Sequence, residues 1–240
     1  MVNDLIQGMT HFSEHFENYK DDYIIIGGIA TAINQRRWGA TSKATKDFDL
    51  IVLDESKNSK FISHFIDYVN NKARYQFIGK FKEDSRILYQ FKLPMNKNAP
   101  EMIELFTINE LDDSKLTYER LYGEEYYEYI SAIVFDKDYR QLIDDYRIED
   151  SNLSIAGPEA LIPLKALAYV NYSKEEDKRG TKKHLDDIKS LANFIEDDEV
   201  LVSDSILQNI YAVADELKKI KGKEELSDLL KETYKVREEE

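Results

Sequence analysis

Apolar positions recur at spacings of three and four from residue 4 to 19, where Leu5, Met9, Phe12 and Phe16 form one stripe, and this predicts an amphipathic helix. The pattern then changes. Tyr23-Ile24-Ile25-Ile26 is a short run rich in β-branched residues, closed by Gly27-Gly28, which reads as a buried strand entering a glycine turn. A helix is expected from Ile29 to about Arg37, then a polar, basic loop to Lys46. A second strand follows, with Phe48, Leu50, Ile51 and Val52 as its apolar content and Asp47 and Asp49 near its start. Phe61–Val69 reads as helix, and Tyr75–Ile78, Ile87–Leu93 and Met102–Phe106 read as further strands of a mixed sheet. Residues 110–150 are rich in Tyr and acids, with strand-like content at Tyr126–Phe135.

From Pro158 the periodicity is helical. Gly157-Pro158-Glu159 is a suitable start, because a proline in the first turn lacks only an N–H that would have no partner there. Leu161, Leu164, Lys165 and Ala168 fall on or near one face. Further helices are expected at Leu185–Ala192, Ile206–Leu217 and Leu226–Tyr234. The expected fold is therefore α+β: an α/β domain over 1–150 and a C-terminal helical domain over 151–240, joined near 150–157. Glu238-Glu239-Glu240 reads as a solvated tail.

Composition narrows the function classes. A chain of 240 residues, 42% hydrophobic, can build a sizeable core. It has no cysteine, which removes disulfides, thiolate zinc sites and Cys nucleophiles together and suits a cytoplasmic setting. No apolar run approaches the roughly 20 residues of a membrane span, and the N-terminus lacks the basic and apolar regions of a signal peptide. Both parts are acidic, with 19 basic against 27 acidic residues before position 151 and 14 against 20 after it. The net charge of −14 argues against a broad surface that grips duplex DNA. Two windows run against the trend: Arg36, Arg37, Lys43 and Lys46 within 36–46, and Lys178, Arg179, Lys182 and Lys183 within 178–183.

Asp47 and Asp49 are two apart on an expected strand, so both side chains share one face while Phe48 takes the other. Carboxylates held that close call for a neutralising cation, and Mg²⁺ is usually held by one or two carboxylates together with substrate phosphates. Alone, Asp-x-Asp is far more often a strand with one wet face. Gly27-Gly28 adds a place where backbone can approach a ligand and a helix N-terminus can meet phosphate, although a glycine pair after a strand is also a common turn. The segment is neither a Walker loop nor Gly-x-Gly-x-x-Gly. Glu104 is a single acid inside Met102-Ile103-Glu104-Leu105-Phe106, either on a wet edge or in a cleft as a third carboxylate. Lys165, among Ala and Leu on a helix, either snorkels to the surface or serves as a phosphate partner. His11, His15 and His64 converge on no ligand spacing, and Trp38 and the 16 Tyr read as packing residues.

Taken in order, four segments resemble one family. Gly27-Gly28-Ile29-Ala30 and Lys43-Ala44-Thr45-Lys46-Asp47-Phe48-Asp49 come first, and Leu161-Ile162-Pro163-Leu164-Lys165-Ala166-Leu167-Ala168 and Lys183-His184-Leu185-Asp186-Asp187-Ile188 follow. The chain resembles the nucleotidyltransferase superfamily that includes DNA polymerase beta and the aminoglycoside-modifying nucleotidyltransferases, and within it the AbiEii-like branch. The resemblance implies a polymerase-beta-like catalytic domain followed by a helical domain. It makes Asp47 and Asp49 ligands of Mg²⁺ or Mn²⁺, with Glu104 as third carboxylate by strand order alone. The implied NTP contacts are Gly27, Gly28, Thr45, Lys46, Lys165 and Arg179, and Lys165 and Asp187 form the second-domain nucleotide-site pair. Lys43 stands where the branch often has Arg, and His184 where it usually has Asp, so that acid's role is either absent or passed to Asp186.

The implied activity is transfer of an NMP from an NTP to an acceptor hydroxyl. In the branch it is associated with the toxin of a type IV toxin–antitoxin pair, with tRNA as acceptor and a separately encoded antitoxin as partner. Two other classes remain open at this level: a small-molecule modifier, which the acidic charge suits better than RNA, and a nucleotide-binding module without turnover.

Overall fold

In a computed structural model of the chain, the structure describes residues 7–41, 45–53, 59–83, 86–107, 119–120 and 136–237. Leu5, Lys43, the strand-like Tyr126–Phe135 and the acidic tail lie outside the described residues. The chain divides into two compact units: Met1–Ile33, Ser42–Phe135 and Arg147–Ile155 in the first, and Asn34–Thr41, Asp136–Tyr146 and Ala156–Glu240 in the second.

The first unit is organised by its most apolar strands. β1 (Tyr23–Ile26) is buried at every position and pairs antiparallel with β2 (Asp47–Val52). β2 runs parallel to β5 (Met102–Thr107), and β5 pairs antiparallel with β4 (Arg86–Pro94), itself antiparallel to β3 (Tyr75–Glu83). The short β6 (Glu119–Arg120) lies outside β3. Beyond β1, β8 (Leu153–Ala156) adds in parallel and β7 (Arg147–Asp150) closes the order β6-β3-β4-β5-β2-β1-β8-β7. The sheet is mixed, as the sequence led one to expect. The segment expected to be a joint instead supplies strands, because Leu153-Ser154-Ile155-Ala156 is buried throughout.

Alternation gives the two sheet faces different chemistry. Phe48, Tyr23 and Phe91 share one face and pack with Phe12, Phe16, Phe61 and Phe65 in an aromatic core, with Phe12 and Phe48 rings 5.2 Å apart and Phe65 edge-on to Phe91 at 5.3 Å. These residues come from α1 (Met9–Phe16) and α3 (Ser59–Asp67), which cover that face. α1 is shorter than its apolar stripe predicts, passing into a 3₁₀ turn at Glu17–Asp22. The opposite face of β2 carries Asp47 and Asp49.

α2 (Gly27–Arg37) begins in the first unit and its residues from Asn34 belong to the second. The second unit also holds α4 (Lys137–Asp145), α5 (Pro158–Lys174), α6 (Lys178–Leu191), α7 (Asp204–Lys218) and α8 (Glu224–Thr233). A parallel pair, β9 (Val200–Val202) and β10 (Tyr234–Val236), completes it. α5 is buried on every side from Pro158 to Ala166, not along one stripe, so it is the centre of this unit. Pro163 lies inside it and has no N–H to give the carbonyl of Glu159. The Tyr234 hydroxyl donates to that carbonyl at 3.0 Å instead. The basic window 178–183, which precedes the helix expected at Leu185–Ala192, is the first turn and a half of α6: the Asp177 carboxylate accepts from the N–H groups of Arg179 and Gly180 at 2.9 and 3.1 Å. No described helix is long and apolar enough to cross a membrane.

Candidate functional site

The acidic face of β2 is extended by its neighbours. Asp49 stands in register with Glu104 on β5, and Glu104 with Gln90 on β4, so three polar side chains form one row across three strands. Residues paired across a sheet share a face. One step along, Asp47, Met102 and Lys92 form the next row on the same face. Asp47 is exposed, whereas Asp49, Glu104 and Lys92 are half-buried and Gln90 is buried.

The Gln90 amide donates to Glu104 Oε1, and Asp49 stands beside Glu104 in the strand register. Burial raises Glu104 above the ordinary carboxylate range, opposed by its hydrogen bonding to Gln90 and by Asp49, reinforced by the charge of Asp47 and relieved by that of Lys92. Sequence reasoning missed Gln90 and Lys92. Their signal was present as polar residues two apart in the apolar run of β4, but the hairpin register that sets them beside Glu104 is not written in local pattern.

Gly27 and Gly28 bound the other end of the row. Gly27 has φ +68°, and a Cβ there would fall 1.8 Å from Asp49 Oδ2. The Asp49 carboxylate therefore occupies the volume that the missing side chain leaves, at the first residue of α2. A Cβ on Gly28 would come 2.7 Å from Thr45 Oγ1, so Thr45 closes on the second glycine as Asp49 does on the first. Lys46 is held outward by Glu101 at 2.7 Å in an exposed pair, which raises its pKa through that hydrogen bond.

Three carboxylates on one sheet face, with a glycine cradle behind one of them, fit a hard divalent cation in residue type and register. Their oxygens are not turned to a common centre: among the described residues no group of three or more His, Cys, Asp or Glu forms a ready ligand set.

The fold as a whole has a solved counterpart. The crystal structure of an antigenic nucleotidyltransferase-like protein from Paracoccidioides brasiliensis is similar over 95% of this chain and 92% of that one, with a TM-score of 0.54 and 16% identity. The chain has a nucleotidyltransferase-like fold. No protein-family model matches the sequence, and no curated protein matches it either.

The remaining sequence candidates lie in the second unit. Lys165 on α5 and Asp187 on α6 form an ion pair at 2.8 Å, with side chains 7% and 11% exposed. Beside them is His184, whose ring stacks on Tyr172 at 5.3 Å and 18°. Its Nδ1 is buried without a hydrogen-bond partner among the described residues. Burial pushes His184 down to about 3, helped by the charges of Lys165 and Lys183, so the imidazole is neutral. Asp186 does not join this group: it faces Lys182 at 2.6 Å and Lys189 at 3.3 Å. His184 thus stands next to Lys165, whereas Asp186 is engaged by lysines of its own helix. Arg179 is exposed in the first turn of α6.

Proposed function

We propose that the protein is a metal-dependent nucleotidyltransferase that moves an NMP from an NTP to an acceptor hydroxyl. The observation that supports this best is the registered row of Asp49 and Glu104, joined by Asp47 on the same face and backed by the Gly27 cradle. In this reading Asp47, Asp49 and Glu104 hold Mg²⁺ or Mn²⁺. When bound, the ion would neutralise the carboxylates, draw in the triphosphate oxygens and lower the pKa of the attacking hydroxyl. Gly27, Gly28 and Thr45 form the phosphate-side wall.

The acceptor oxygen attacks the α-phosphorus as the bond to the bridging oxygen of the β-phosphate breaks, and pyrophosphate leaves. The acceptor's proton needs a base, and Glu104 has suitable properties: it is half-buried, its pKa is raised by that burial, and Gln90 holds it in place. Lys46 lies one residue before Asp47, and an incoming phosphate could take it from its exposed partner Glu101, where its charge would offset that of the leaving group. Lys165, Asp187 and Arg179 remain nucleotide contacts by resemblance.

For the acceptor, the resemblance of the Lys43–Asp49 segment and of the Lys165 and Asp187 setting favours tRNA and a toxin role with a separately encoded antitoxin. The net charge of −14 favours a small hydroxylated molecule. Label transfer from each α-³²P NTP with Mg²⁺, onto total tRNA and onto a small-molecule panel, separates the two. Transfer lost in Asp49→Ala is the expected result, and transfer retained in both Asp47→Ala and Asp49→Ala would overturn the assignment.

A further inference from the structure

We propose that Gln90 is a positioning residue of the carboxylate site, a fixed neutral donor that sets the plane of the Glu104 carboxyl so that its remaining oxygen faces Asp49 and a shared cation. This rests on the reading of Asp47, Asp49 and Glu104 as cation holders.

Gln90 is only 6% exposed, on a strand whose neighbouring positions Tyr89 and Phe91 turn into the aromatic core on the opposite face. A buried primary amide is costly unless its donors and acceptor are used, and a leucine or methionine would pack in the sheet without that cost. Gln90 nevertheless keeps its amide aimed at one group, Glu104 Oε1. On its other side β3 presents Gly79, which has no side chain to hold it. The register from Gly79 through Gln90 and Glu104 to Asp49 therefore leaves the amide one strand away from the carboxylates and directed at the middle of the row.

The choice of an amide has a chemical consequence. A lysine at this place would also donate to Glu104, but its charge would compete with the cation for the same carboxylates. The amide orients one oxygen and adds no charge, which leaves the negative potential of the row intact. It has no proton to lose, so it cannot itself become the base. Partners of this kind behind metal-binding carboxylates typically carry about 10–100-fold in metal affinity.

The test is Mn²⁺ binding, followed by the loss of the free-ion EPR signal, in the whole chain and in Asp49→Asn, Glu104→Gln, Gln90→Met and Gln90→Met with Glu104→Gln. Gln90→Met keeps the length and removes the donor. It should weaken Mn²⁺ binding about 10-fold or more while circular dichroism and melting stay as in the parent. In the Glu104→Gln background it should cost nothing further, because Gln90 acts through that carboxyl. Binding within twofold of the parent, or an equal loss in both backgrounds, overturns the proposal. If Gln90→Met does not fold, Gln90→Asn withdraws the amide by one carbon and carries the same two expectations. Parent binding that Asp49→Asn abolishes but Gln90→Met leaves unchanged would sink the role of Gln90 alone. No Mn²⁺ binding by the parent would sink the cation site, and the role of Gln90 with it.

Discussion

The two units treat buried charge in opposite ways. In the second, Lys165 and Asp187 neutralise each other at 2.8 Å with side chains nearly out of water. In the first, Asp49 and Glu104 are like groups brought into register by the sheet, with Asp47 adjacent and the half-buried Lys92 as the described cation that lowers the strain on Glu104. A completed ion pair is balanced before any ligand arrives. A row of like acids gains from any cation that balances it. The difference separates a charge arrangement that supports its own unit from one whose balance is completed by something bound.

The largest effect should come from breaking the completed pair. Lys165→Met leaves Asp187 buried and unmatched, and the second unit should lose about 3–5 kcal/mol. Trp38, the only tryptophan in the chain, lies in that unit and stacks parallel to Phe194 at 5.9 Å, so its fluorescence in urea reports this loss directly. Adding Asp187→Leu to Lys165→Met should return most of the stability, since an apolar pair of similar size costs little. A loss below 1 kcal/mol in the single variant would mean that water reaches the pair and that the contrast between the units is false.

A smaller effect is set by His184. Its folded pKa is about 3, below the ordinary 6.5, so between these values the unfolded chain binds the proton more readily than the folded one. The stabilising contribution is complete above pH 6.5 and is lost as pH falls towards 3. The slope is at most about 1.4 kcal/mol per pH unit. His184→Asn should flatten the acid limb of Trp38-detected stability by up to this amount. His15, pushed down to about 4 by burial and by His64, gives the first unit its own acid limb, which the substitution should leave alone. An unchanged limb at Trp38 would show that His184 is wetter than its environment indicates.

Local pattern carried much of this. The run Tyr23–Ile26 and the alternation Asp47-Phe48-Asp49 are period-two signals, and the sheet kept both, with Phe48 inward and the acids opposite. Where the outcome depended on packing, pattern failed. α5 reads as one-sided, yet Pro158–Ala166 is enclosed on all sides, because a helix at the centre of a unit has no wet face. The helix expected from Leu185 begins at Lys178, because the charges of 178–183 hide the apolar periodicity of a helix start that Asp177 caps. Glu104 was a candidate by strand order, but the Glu104–Asp49 and Gln90–Glu104 registers that make a row of them are long-range pairings no window contains.

The smallest expected effect on stability is the most informative about the first unit. Asp49→Asn replaces one acid of the row with an amide of the same shape that can donate to Glu104. Without divalent ions its unfolding free energy should stay within about 0.5 kcal/mol of the parent, because the amide keeps the shape of the side chain that fills the Gly27 cradle. With Mn²⁺ at 100 times its dissociation constant the parent should gain about 2.7 kcal/mol and the variant nothing. Hydrogen exchange at the amides of β1 reads both states, since that strand is buried throughout and pairs with β2 at Asp49. A loss above 2 kcal/mol in the ion-free variant would place Asp49 in the same class as Lys165. Its carboxylate would then be a fixed part of the first unit's own charge balance, and the two units would no longer differ in kind.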